Sequence, residues 1–100
     1  MKEQAVTRGI MALIAMTGGP AIRGDVVGND VCGDYEIDTC DTIDAGYETA
    51  VKRGPGHWAI VEHYPDAEAA LVGHKKWLKI IKEDSPTSVY ECVLEEQVTL

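Results

Sequence analysis

The sequence predicts a single α+β domain: a small antiparallel sheet of three to four strands with two helices, in the order α-β-β-β-α-β. Three observations support this. Apolar residues recur at helical spacing in two segments, strict alternation replaces that spacing between them and again near the end, and Gly, Pro and Asp clusters mark the changes of period. A chain of 100 residues suits one domain, residues 1–100, burying about two-thirds of its unfolded surface without metal or disulfide support.

Residues 3–16 read as the first helix. Val6, Ile10, Leu13 and Ile14 fall at helical spacing, and Thr17-Gly18-Gly19-Pro20 supplies a stop, so residues 1–20 form an N-terminal helix and its terminator. Lys2 and Arg8 before the apolar run 10–16 superficially resemble a secretion signal. The run is short, however, Glu3 interrupts the basic region, and no small-x-small cleavage site follows, so export is not expected. From Ala21 to Gly33 the Gly, Asp and Asn content predicts an irregular connection with a short strand at Asp25–Val27.

The sheet and second helix occupy residues 34–98. Tyr35, Ile37 and Thr39 alternate with Asp34, Glu36 and Asp38, as expected of a half-exposed strand with an acidic outer face. Asp44-Ala45-Gly46 turns the chain, 47–52 alternates again, and Gly54-Pro55-Gly56 turns it once more into a strand from Trp58 to Tyr64. That strand is expected to place Trp58, Ile60, Glu62 and Tyr64 on one face. Pro65, Asp66 and Glu68 open a helix over 65–82, with Ala67, Ala70, Leu71, His74, Leu78 and Ile81 as its apolar stripe and Trp77 on the flank. Alternation from Val89 to Val98 predicts one final strand. The simplest packing lays both helices on one face of the sheet.

Composition narrows the function classes. Net charge is −8, against the clustered Lys and Arg that phosphate-backbone binding requires, so no nucleic-acid partner is expected. No stretch approaches the roughly 18 consecutive apolar residues of a membrane span. Residues 1–51 carry nine acids and three bases, and no Lys or Arg lies between Arg23 and Lys52. Asp34, Glu36, Asp38, Asp41 and Asp44 within that stretch are candidate partner-binding residues; a solvated face that maintains solubility is the plainer reading. Phe is absent, so Trp58, Trp77, Tyr35, Tyr47, Tyr64 and Tyr90 supply the aromatic bulk.

The strands Tyr47-Glu48-Thr49-Ala50-Val51 and Ile60-Val61-Glu62-His63-Tyr64, followed by Glu68-Ala69 and Gly73-His74, resemble small uncharacterised proteins encoded by tailed bacteriophages. In those, a Tyr/Trp-Glu-Thr strand, a strand ending in Tyr and a Glu-Ala-x-x-Gly-His helix recur in this order; here three residues, 70–72, stand between Glu68-Ala69 and Gly73-His74, a departure from that helix spacing. The resemblance covers about a third of the chain and does not reach residues 1–40. It implies a phage-encoded protein that belongs to the virion or acts in the infected host cytoplasm, and it implies no catalytic residues.

Gly73-His74 is the most specific local feature. Glycine inside a helix costs about 1 kcal/mol relative to alanine, which points to close approach by a strand or an aromatic ring. His74 then reads as a packed residue bonded to a carbonyl or to a side chain such as Glu62, and Gly73, His74, Trp58, Trp77 and Tyr64 read as structural. No Ser, Cys or carboxylate pair stands in a defined relation to His74, so no catalytic residue is assigned.

Cys32, Cys40, His57, His63, His74 and Cys92 lack the close ligand pairs of structural zinc sites, and the acids from Asp25 to Asp44 lack the spacing of a calcium loop. No metal or cofactor is expected. Reduced thiols are the default for the three cysteines; a Cys32–Cys40 or Cys40–Cys92 bridge suits an oxidising environment. Gly54-Pro55-Gly56-His57 lacks the Gly-Lys-Ser/Thr of a phosphate loop, and Lys75, Lys76, Lys79 and Lys82 read as a solvated helix face.

The expectation is a non-enzymatic phage protein acting by protein–protein contact, foremost as a minor virion component seated among larger capsid or tail proteins. Two alternatives stand beside it: an acidic host-directed inhibitor or nucleic-acid mimic that blocks a basic host protein, and a metal-binding enzyme or sensor.

Overall fold

A computed structural model of the chain describes residues 23–43 and 45–100. Its strands and single helix are β1 (Arg23–Cys32), β2 (Tyr35–Thr42), β3 (Gly46–Arg53), β4 (Ala59–Tyr64), α1 (Ala67–Asp84), β5 (Ser88–Glu91) and β6 (Glu96–Thr99). The expected α-β-β-β-α-β order with two helices is therefore corrected. Among the described residues the order is β-β-β-β-α-β-β, mostly strand with one helix, and the helix expected over 3–16 lies outside them.

Strands β1 to β4 form an antiparallel meander in sequence order, and β5–β6 form a separate hairpin. The segment expected to be an irregular connection is the ten-residue strand β1. Its Gly and Asn residues do not break it, because register shifts between Arg23 and Val26 and between Val26 and Gly28 absorb the irregularity. Gly33, with φ of 63°, starts the two-residue turn into β2, a conformation that glycine takes without a steric penalty. Thr42 holds the next turn, its Oγ1 donating to the Gly46 carbonyl and accepting from the Ala45 N–H.

In β4 the register against β3 shifts by one residue between the partners of Thr49 and Ala50. This bulge puts Val61 in the apolar core while Glu62, its neighbour, also reaches α1. Ile60 pairs with Ala50 and so lies on the opposite face, which corrects the expected alignment of Trp58, Ile60, Glu62 and Tyr64. Trp58 precedes the strand and packs under the Lys52 ammonium, 5.1 Å from the ring centre.

Asp66 caps α1 by accepting the Ala69 N–H at 2.8 Å, and Ser85 closes it in a left-handed conformation with its N–H on the Ile81 carbonyl. Pro65 thus stands outside the helix. The buried stripe is Ala70, Gly73, His74 and Ile81, flanked by half-buried Trp77 and Leu78, whereas Ala67 and Leu71 are exposed. Near the C-terminal end of α1, Ile81, Leu78 and Trp77 pack against Tyr35, Ile37, Val51, Ala59 and Val61, and Val89, Val98 and Leu100 close that core.

The single strand expected over 89–98 is broken at its middle. Glu91 is buried, its Oε1 accepting the Val93 and Leu94 N–H groups and its Oε2 the Ile60 N–H, while Glu95 adopts φ of 59°. A carboxylate supplies the acceptors for this turn, in a segment with no Gly, Pro or Asn to announce it. The same side chain, with the Cys92 N–H on the Ile60 carbonyl, fastens the hairpin to β4.

Candidate functional site

Thr39 of β2 and Thr49 of β3 are register partners at the centre of the sheet face covered by α1, and both are fully buried. Buried hydroxyls need partners, since an unpaired one costs about 1–3 kcal/mol. Here they bond each other at 2.6 Å. Thr39 Oγ1 also meets His74 Nδ1 at 2.7 Å, and Thr49 Oγ1 meets the Tyr64 hydroxyl at 2.9 Å.

The line extends at both ends. His74 Nε2 lies 2.7 Å from Asp30 Oδ2, and the Tyr64 hydroxyl donates to Glu62 Oε1 at 3.2 Å. Glu62 Oε1 also accepts Trp77 Nε1 at 2.9 Å and the Lys76 ammonium. A continuous chain, Asp30–His74–Thr39–Thr49–Tyr64–Glu62, therefore crosses all four strands of the sheet through one residue of α1. Two glycines make room for it: a Cβ at Gly28 would stand 2.6 Å from His74 Nε2, and one at Gly73 would collide with the Tyr64 ring.

Burial pushes the Tyr64 pKa up to about 12; the nearby Glu62 charge and the bond donated to it add to the shift, and the Thr49 bond opposes it. The phenol stays protonated at any physiological pH. For Glu62, burial acts upward, but the bonds from Lys76, Trp77 and Tyr64 and the Lys76 charge outweigh it and hold the carboxyl below its ordinary value.

Asp30–His74–Thr39 has the connectivity of an acid–histidine–hydroxyl triad, in which the acid orients the imidazole and the imidazole takes the hydroxyl proton. The accessibility is reversed. A triad acid is buried and its nucleophile open to substrate, whereas the Asp30 side chain is 50% exposed and Thr39 is 0% exposed. No carbonyl can approach Thr39 Oγ1, which already contacts His74 and Thr49. The arrangement can relay protons or lock the helix to the sheet; as it stands it cannot attack a substrate.

A second polar group occupies the opposite face. Glu48 of β3 pairs with His63 of β4 and lies 3.2 Å from its Nε2. Burial pushes the Glu48 carboxyl up, His63 opposes the shift, and the Glu91 and Asp38 charges add to it. Burial likewise raises the Cys92 thiol. Among the described residues no three His, Cys, Asp or Glu side chains converge where an ion could sit, and Cys32, Cys40 and Cys92 form no disulfide.

The acidic candidates do not form one open surface. Asp34, in the first turn, pairs with Arg53 Nε at 3.1 Å. Glu36 and Asp38 share the Asn29 amide, at 3.0 and 2.8 Å, and Lys52 stands 3.9 Å from Glu36. Asp38 is buried, Asp41 is half-buried on the other face in register with Tyr47, and Asp44 lies outside the described residues. Of the residues read as structural, His74, Tyr64, Gly73 and Trp77 gather at the relay, and Trp58 stands apart from it. Asp30, Thr39 and Thr49 are site residues that sequence reasoning misses, and Glu62, expected as a partner of His74, instead meets Tyr64, Trp77 and Lys76 while His74 meets Thr39 and Asp30. For the two threonines the legible signal is a threonine at an inward position of each central strand, opposite a helix with an inward histidine.

No protein-family model, curated protein or solved structure matches the chain.

Proposed function

We propose that this chain is a non-enzymatic protein acting by protein–protein contact, foremost as an accessory component of a phage particle. The observation that carries the non-enzymatic reading is the inverted triad: its hydroxyl is sealed within the fold and only its acid faces solvent. Exposed apolar side chains support a contact role, with Val31 on the outer strand and Val93 and Leu94 on the hairpin turn each more than half exposed. The phage attribution rests on the Tyr-Glu-Thr, strand-Tyr and Gly-His resemblance. An acidic inhibitory surface has less support, because Asp34, Glu36 and Asp38 already engage Arg53, Lys52 and Asn29.

The test is quantitative mass spectrometry of purified particles of the phage that encodes the chain. A fixed copy number per particle is expected; absence from particles overturns the reading. Larger capsid or tail proteins are the partners this reading names.

A further inference from the structure

The relay can be counted proton by proton. Six groups, Asp30, His74, Thr39, Thr49, Tyr64 and Glu62, are joined by five hydrogen bonds, and each bond needs one proton. A carboxylate at either end only accepts, and each of the three hydroxyls brings one proton. A neutral imidazole adds one and leaves a bond empty, whereas an imidazolium adds two and fills all five.

The filled chain has a single direction. His74 Nε2 donates to Asp30 and Nδ1 to Thr39, Thr39 donates to Thr49, Thr49 to Tyr64, and Tyr64 to Glu62. With neutral His74 keeping Nε2–H on Asp30, Nδ1 becomes an acceptor and the hydroxyls run the other way, Tyr64 to Thr49 to Thr39 to His74. The bond then left without a proton is Tyr64–Glu62, which is the longest at 3.2 Å and ends on a carboxylate still served by Lys76 and Trp77.

We propose that this chain of hydroxyls is a built-in protonation switch: gain of one proton by His74 reverses all three O–H groups and moves the Tyr64 donor from Thr49 to Glu62. One proton comes from solvent, His74 gains one N–H, and each hydroxyl ends with the single proton it began with. Ionisation beside β1 is thereby reported on the far side of the sheet, where Glu62 holds Trp77 and Lys76 of α1. The ionisable groups on the covered sheet face are Asp30 and Cys32 of β1, Tyr35 and Asp41 of β2, Tyr47 and Arg53 of β3, and Glu62 and Tyr64 of β4. Lys75 and Lys76 follow His74 on α1 itself. Tyr64 stays protonated and Glu62 stays ionised over the range in which imidazoles ordinarily ionise, and the imidazole is the group whose proton count sets the direction of the chain.

The test follows His74 ring nitrogens and the Tyr64 Cζ shift by NMR between about pH 5 and 8, the range in which histidines ionise. In Trp58→Phe, which leaves Trp77 as the sole tryptophan, emission is read over the same range. The Tyr64 shift and the Trp77 emission are expected to move with the His74 midpoint and not with those of His57 or His63. Thr49→Val should leave His74 titrating while the Tyr64 and Trp77 responses fall at least fivefold, and Thr49→Ser should restore them. A Tyr64 signal that ignores His74 in the unaltered chain overturns the switch, as does an undiminished response in Thr49→Val. The reading from the unaltered chain decides the matter even if Thr49→Val does not fold.

Discussion

The two halves of α1 rest on the same sheet by different physics. Toward its C-terminal end, Ile81, Leu78 and Trp77 meet Tyr35, Ile37, Val51 and Val61, a contact that is non-directional and tolerant of small shifts. Toward its N-terminal end, Gly73 and His74 meet Tyr64, Thr39, Thr49 and Asp30 through directional bonds of 2.6 to 2.9 Å that hold the side chains in one position, whichever way the protons run. The apolar half supplies most of the stability. The polar half contributes little net free energy but fixes the position of the helix, because any slip leaves buried hydroxyls without partners.

That contrast can be broken from the apolar side first. Ile81→Ala should cost about 3 kcal/mol, within the range for a buried aliphatic truncation, seen as a lower urea midpoint with unchanged slope. Thr39→Val should cost about 2 kcal/mol despite its apolar gain, since it leaves His74 Nδ1 and Thr49 Oγ1 buried with one partner fewer. A Thr39→Val chain as stable as the parent would show that the polar half is not closed to water.

At Gly73, helix propensity and packing oppose each other. Alanine gains about 1 kcal/mol of propensity, but its methyl would overlap the Tyr64 ring, an overpacking that costs about 1–3 kcal/mol, so a net loss of about 1 kcal/mol is expected. Thermal unfolding of Gly73→Ala beside Gly73→Ala/Tyr64→Ala checks the cause: removing the ring should turn the loss from alanine into a gain.

The smallest effect concerns Glu62. Its folded pKa lies below the ordinary glutamate value, so its ionisation stabilises the fold above that value and the contribution fades as pH falls through the folded pKa. Glu62→Gln should therefore cost somewhat under 1 kcal/mol at pH 7, after solvent screening of the partly exposed carboxylate. The difference from the parent should narrow steadily toward pH 3 in denaturant titrations.

The sequence shows these two halves unequally. Alternation and turn residues located β2, β3 and β4, and the helical period located α1 to within two residues at each end, because these signals are local. The overturned elements depend on distant partners. Gly28 reads as a loop residue, yet it belongs to a strand and makes space for a histidine 46 positions later. Glu91 reads as one more acid in an alternating strand, yet its carboxylate folds the turn and grips β4. The Val61 bulge likewise leaves no trace in composition. At the site, the inward positions of Thr39 and His74 could be read, but not that they touch, and nothing near Asp30 points to a residue 44 positions away.

The Thr39 hydroxyl is sealed inside a closed chain, in contact with His74 and Thr49. NMR observation of the Thr39 and Thr49 hydroxyl protons checks that closure. Both should appear as discrete resonances exchanging slowly with water, with the Thr39 proton close in space to the His74 ring. Rapid exchange of the Thr39 hydroxyl, or acylation of Thr39 by a small activated ester in the folded protein, would show that the hydroxyl is open and return the Asp30–His74–Thr39 set as a candidate active site.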